Sequence, residues 1–185
     1  SCNGGPISCK TNLTFRSQYP YNTLSAIASL LGVDTNDIAQ ANPNYNTDVV
    51  EWNKLVYVPI TCSCDQGSQY YRKFTSHNVL SDELYFNIAN NTYQGLTTCQ
   101  AIAATNAQYS SNPVQSISLT IPLRCACPTN NQRSSGINSL FSYVVGDRDT
   151  ISSISTQLNV DSKSIHEANQ LLENSTVYPF TTLLI

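Results

Sequence analysis

The sequence predicts an α+β protein built of three small β-α-α-β modules packed together and tied by disulfides. Three observations predict it. A strand-like apolar run, then proline, then Cys-x-Cys occurs twice, as Leu55, Val56, Tyr57, Val58, Pro59 leading to Cys62 and Cys64, and as Leu119, Ile121, Pro122, Leu123 leading to Cys125 and Cys127. A helical spacing of apolar residues that runs into an asparagine recurs at Asn42, Asn106 and Asn169, at near-equal intervals. Seven cysteines stand in 185 residues, and units this short bury too little apolar surface to do without staples.

The expected organisation is an arm over residues 1–12, a first module over 13–61, a linker over 62–69, a second module over 70–124, a linker over 125–138 and a third module over 139–185, truncated at its end. The arm carries Cys2 and Cys9 among turn residues. In the first module a strand-like pattern starts at Leu13, and Asn22 is the expected cap of a helix with Leu24, Ile27, Ala28 and Leu31 on one face. Gly32 ends that helix. Asp34 and Asp37 resemble an acidic capping box opening a second helix through Ile38, Pro43 stops it, and residues 55–58 form the closing strand.

The third module repeats this order: Phe141, Ser142, Tyr143, Val144 and Val145 as strand, Asp149 as helix cap, Ile151, Ile154 and Leu158 on one face, Asp161 opening the second helix, and Leu183, Leu184 and Ile185 as closing strand. In the middle module Glu83, Tyr85 and Ile88 match Asp149, Ile151 and Ile154. Extra residues there fall around 90–95, which predicts a longer first helix or a wider turn. The recurring asparagines are expected to end each second helix with the side chain bonded to nearby backbone.

In an extended segment residues i and i+2 point the same way, and a disulfide between them would be badly strained, so each Cys-x-Cys must pair elsewhere. Cysteines with three Asn-x-Ser/Thr sequons, at Asn12, Asn90 and Asn174, fit an oxidising secretory route. The Cys-x-Cys spacing is too tight for structural zinc, and His77 and His166 lie far from it in sequence, so no metal or other cofactor is expected. Net charge is -3 with 11% charged residues, which argues against nucleic acid and anionic membrane surfaces. A surface of Ser, Thr, Asn, Gln and Tyr suits an uncharged, hydrogen-bonding ligand such as a glycan, and equally a merely soluble, glycosylated protein.

The run Tyr143, Val144, Val145, Gly146, Asp147, then Asp149, Thr150, Ile151 and Ile154, followed by Ile165 and Asn169, resembles the LysM module, a β-α-α-β unit that binds N-acetylglucosamine polymers. Three such modules with two Cys-x-Cys spacers resemble the ectodomain of plant LysM receptor-like kinases over essentially the whole chain. The first module departs with Pro20, Tyr21 and Asn22 where Gly-Asp is usual, and the second with Ser81, Asp82, Glu83 and Leu84. Residues 89–100 look most like the chitin-perception branch, whose kinase domain is inactive.

The resemblance implies three disulfides, Cys2 with Cys64, Cys9 with Cys127 and Cys62 with Cys125; Cys99, left over near the start of the middle module's second helix where Ile102 begins the apolar face, is expected to be a buried, inert thiol. It also implies a groove between two loops of the middle module, carried by Ser81, Asp82 and Glu83 and by Gln108, Tyr109, Ser110, Ser111, Asn112, Pro113 and Val114. Acetamido groups need one donor and one acceptor, which loop backbone supplies, while Pro113, Val114 and Tyr109 offer apolar contact. The implied function is an extracellular glycan-binding receptor ectodomain on the plasma membrane, recognising chitin, anchored by a single span outside this chain and partnered by a second LysM ectodomain. The alternatives are a lipochitooligosaccharide receptor and a co-receptor with little ligand affinity. A glycan hydrolase needs paired carboxylates across a cleft, whereas Asp82 and Glu83 are adjacent and serve equally as helix caps, so no enzymatic activity is expected.

Overall fold

Alternation in the first two strands sets the core. Strand β1 (Ser8–Arg16) turns Thr11, Leu13 and Phe15 inward, and β2 (Leu55–Asp65) does the same with Val56, Val58, Ile60 and Cys62. The two pair antiparallel with Leu13 opposite Val58. The computed structural model describes residues 2, 5–45, 47–67, 69–80, 83–109 and 116–185. Between these strands run α1 (Leu24–Leu31) and α2 (Thr35–Ala41). The middle unit follows with β3 (Tyr70–Asn78), α3 (Tyr85–Asn87), a π-helical turn (Ile88–Thr92), α4 (Cys99–Thr105) and β4 (Ser118–Arg124). After a short α5 (Asn130–Ser134), the third unit comprises β5 (Phe141–Val144), α6 (Ile151–Leu158), α7 (Ser162–Asn169) and β6 (Thr182–Leu184).

The three strand pairs join edge to edge in one six-stranded sheet of order β4-β3-β2-β1-β5-β6. β2 meets β3 antiparallel, and β1 meets β5 parallel. The closing strand of the first unit therefore runs beyond the expected residues 55–58 and through the Cys-x-Cys. The first two units also share one continuous core, which includes Leu13, Val58, Ile88 and Ile121, while Tyr143, Val145, Ile154, Ile165 and Leu183 form a separate one. Three disulfides are closed, Cys2–Cys64, Cys9–Cys127 and Cys62–Cys125, the pairs that the resemblance implies. Cys99 is free as expected but only half-buried rather than buried, because it stands at the first turn of α4, whose buried position is Ile102.

Two helix caps differ from expectation. Thr23, not Asn22, caps α1 by accepting from the Ala26 amide at 3.0 Å, because the Asn22 carbonyl still bonds Val50 in extended pairing. Thr150, not Asp149, caps α6, since the Asp149 carboxylate is taken by Tyr143, Arg16 and the Gly146 amide. Asp34 caps α2 as expected but does so through Asn36, without a reciprocal bond from Asp37. Asp161 caps α7.

The recurring asparagines do more than end a helix. Asn42 donates to the Ile38 and Tyr57 carbonyls and accepts from the Tyr57 amide. Asn106 does the same with Ile102 and Thr120, and Asn169 with Ile165 and Leu184. Each side chain thus extends its second helix and pairs with the closing strand like a strand residue. Satisfying a buried backbone pair this way explains why an amide of this length stands at all three positions.

The extra residues of the middle unit are absorbed by the π-helical turn and the tight turn after it, and they hold the units together. Gln94 donates to the Arg16 carbonyl at 2.7 Å and accepts from the Arg16 amide at 2.9 Å. Gly95 has φ +85 and presses against the third unit, where a Cβ would overlap the Phe180 carbonyl, and its own carbonyl accepts from Thr182. Gly95→Ala is expected to destabilise the protein by about 2–4 kcal/mol through left-handed strain and overpacking against backbone. A shift of the denaturant midpoint checks this.

Candidate functional site

The groove expected in the middle unit requires two loops to leave the sheet side by side. They do. The β3–β4 ladder runs from Arg72 opposite Arg124 to Asn78 opposite Ser118. Past its end, Val79 donates to Ile117 at 2.9 Å and Ser116 to Val79 at 3.1 Å, so the loop into α3 and the loop out of α4 start in contact. Asn106 ties the base of the second loop to β4.

Of the residues assigned to this groove, Ser81, Asp82, Ser110, Ser111, Asn112, Pro113 and Val114 lie outside the described residues. Glu83, Gln108 and Tyr109 lie within them. The Glu83 carboxylate sits 3.0 Å from His77 Nε2 and accepts from the Leu80 amide at 2.8 Å. Asp149 makes the corresponding bonds in the third unit, to Tyr143 and the Gly146 amide at 2.8 Å each. An acid at this position closes the first loop on its own strand. Gln108 is exposed, and Tyr109 is half-buried against the shared core with its amide bonded to Asn106.

Sequence reasoning missed the apolar residues beside this site. Leu80, Leu84 and Phe86 are 66%, 45% and 61% exposed, and Leu84 and Phe86 flank the buried Tyr85 at positions a core-facing helix stripe would not use. That mismatch of apolar type with a non-core position was the available signal.

The first loop of the first unit and both loops of the third are engaged between units. Arg16 pairs with Asp149 at 2.8 Å and donates to the Tyr143 hydroxyl at 2.8 Å, while Gly146 lies against its guanidinium. Gln18 bonds the Asn91 carbonyl, and Phe180 rests on Gly95. Among the described residues, the middle unit's two loops hydrogen-bond only within their own unit. Burial pushes the Tyr93 and Tyr143 phenols well above their usual value, Tyr143 also through its bond to Asp149. A raised folded value means that stability is complete below the unfolded tyrosine pKa of about 10 and is lost as pH rises beyond it. Melting temperature is therefore expected to hold at mildly alkaline pH and fall above about pH 10.

The sequon residues Asn12 and Asn90 are half-buried and Asn174 is exposed. No group of three or more His, Cys, Asp or Glu side chains poised for a metal occurs among the described residues, and no helix there is long and apolar enough to cross a membrane.

Three family models match the chain in tandem: the NFP/LYK LysM1 domain over residues 8–65, the LYK3/4/5 LysM2 domain over 70–124 and the LYK4/5 LysM3 domain over 140–185. Protein LYK5 of Arabidopsis thaliana is 39% identical over 100% of this chain and 28% of its own length. Protein LYK2 of the same plant is 30% identical over 100% of this chain and 26% of its own length. Chitin elicitor receptor kinase 1 of Physcomitrium patens is 34% identical over 70% of this chain and 21% of its own length. The chain thus spans about a quarter of the length of each of these three relatives. Among solved structures, the ectodomain of a receptor-like kinase superposes with TM-score 0.77 at 21% identity over 98% of this chain and 93% of that one. The LYK3 ectodomain superposes with TM-score 0.78 at 20% identity over 100% and 91%.

Proposed function

Because the chain belongs to the plant LysM receptor-like kinase ectodomains, we propose that it recognises N-acetylglucosamine oligomers of the chitin type in its middle module, without cleaving them, on the outer face of the plasma membrane. The observation that carries this reading is the difference between the modules. Inter-module contacts occupy the first loop of the first module and both loops of the third, whereas the described parts of the middle module's two loops bond only within their own module. The relatives named chitin elicitor receptor kinase support the ligand class. Anchoring through a span outside this chain and pairing with a second LysM ectodomain complete the proposal.

A shallow groove that binds sugars through loop backbone gains contacts with each added residue until it is filled. Titrating the ectodomain with chitin oligomers of increasing length is therefore expected to show rising, then constant, affinity, with little dependence on salt because the ligand is neutral. Ser110→Trp or Ser111→Trp is expected to abolish this binding and leave the melting temperature unchanged. Variants that bind like the parent would place the site elsewhere. A parent that binds no oligomer at millimolar concentration would favour the co-receptor reading. The exposed Leu80, Leu84 and Phe86 favour one second reading, a chitin oligomer bearing an acyl chain; tighter binding of a lipid-modified oligomer in the same titration supports it.

A further inference from the structure

Arg72 and Arg124 stand opposite each other at the end of the β3–β4 ladder away from the candidate groove, about 20 Å from it at roughly 3.3 Å per residue. A cleft of about 660 Å³ opens there between the middle module, the second Cys-x-Cys linker and the third module. Arg72 has the Asp65 carboxylate at 3.6 Å. Among the described residues no carboxylate lies within ion-pair distance of Arg124, whose Nη1 donates to the Thr182 carbonyl at 3.2 Å. Arg124 is exposed and lines the cleft, with enough protein near it that desolvation lowers its pKa. Thr97 lines the same cleft, is 4% exposed, and its hydroxyl has no hydrogen-bond partner.

The buried hydroxyl without a partner is costly unless something satisfies it, and an exposed guanidinium without a carboxylate stands in the same cleft, able to meet an anionic group. We propose that this cleft is a second ligand site, which takes the carboxylate of an acidic sugar unit on Arg124 and a sugar oxygen on Thr97. The planar fork of arginine matches a carboxylate. The remaining lining suits a saccharide: Thr98, Thr129 and Thr181 bring hydroxyls, and Tyr70 and Phe180 bring rings that are 57% and 54% exposed and able to stack on sugar faces. An acidic peptide laid along the sheet edge is disfavoured, because the Arg124 amide already donates to the Leu96 carbonyl at 2.7 Å.

The test is a calorimetric titration of the whole 185-residue chain with tri-galacturonic acid beside the neutral galactose trisaccharide. The acid is expected to bind about tenfold or more tightly than the neutral sugar, with affinity falling several-fold as salt is raised. Arg124→Gln is expected to weaken it by about tenfold or more, and the near-isosteric Thr97→Val by about threefold to tenfold. Chitin-oligomer binding should be unchanged in both variants, and uronate binding unchanged in Ser110→Trp, which separates this site from the middle-module groove. Equal binding of the two sugars, no binding at millimolar concentration, or no effect of either substitution overturns the proposal. Thr97→Val keeps it falsifiable should Arg124→Gln loosen the third module. A tetraglutamate peptide that binds more tightly through the same residues overturns the sugar assignment.

Discussion

Replacing Asn106 by leucine is expected to destabilise the protein by about 3–5 kcal/mol, among the larger effects a single substitution can have. The amide is 1% exposed, and its side chain donates to Ile102 and Thr120 and accepts from the Thr120 amide, at 2.8, 2.8 and 2.9 Å. Leucine has similar bulk, so it adds no cavity, but it leaves the part-buried Thr120 amide and carbonyl without their protein partners, at about 1–3 kcal/mol each. Asn42→Leu is expected to match it, because Asn42 is buried with the same set of bonds. Asn169→Leu should cost less, since that residue is only half-buried and water can replace part of what is lost. Denaturant midpoints of the three variants read this order directly. Asn106→Leu should also weaken chitin-oligomer binding, because the same bonds hold the base of the loop that carries the candidate groove. A loss below about 1 kcal/mol at Asn106 would mean that the strand finds other partners.

Reduction of the three disulfides is expected to unfold the protein at ambient temperature. The bridges span 62, 118 and 63 residues, long loops whose closure restricts the unfolded chain most. At about 2–4 kcal/mol each in the usual case, together they match the roughly 5–15 kcal/mol by which small proteins are stable at all. The double variant Cys62→Ala, Cys125→Ala tests one bridge alone and is expected to lose about 2–5 kcal/mol. Cys62 is fully buried and Cys125 nearly so, and their bridge joins the closing strand of the first module to the linker after the second. Peptide mapping without reductant should recover these three pairs with Cys99 unpaired. A reduced chain that still melts cooperatively near the oxidised temperature would show that the shared core suffices.

The number of modules and their internal order were readable because each depends on local patterns. The alternating residue types of β2, helical spacing at Leu24, Ile27 and Leu31, and the Gly32 cap need no distant partner to be recognised. The two caps read one residue early illustrate the limit. Asn22 and Asp149 are good capping types, and only the extended pairing of Asn22 with Val50 and the claim of Arg16 and Tyr143 on Asp149 hand the cap to the threonine that follows. Propensity ranks residue types, while tertiary partners choose among neighbours of nearly equal rank.

The sequence by itself determined the three β-α-α-β units, the need for staples outside each Cys-x-Cys, and the asparagine that ends every second helix. Tertiary structure alone decided that the units' strands merge into one sheet, that two units share a core while the third keeps its own, and that Gln94 and Gly95 form the joint between them. The reason is range. Periodicity and capping are written in residues a few positions apart, whereas the Arg16–Asp149 pair and the Gln94–Arg16 bonds join residues far apart in the chain, and nothing local distinguishes an arginine or glutamine destined for such a joint from one left in water.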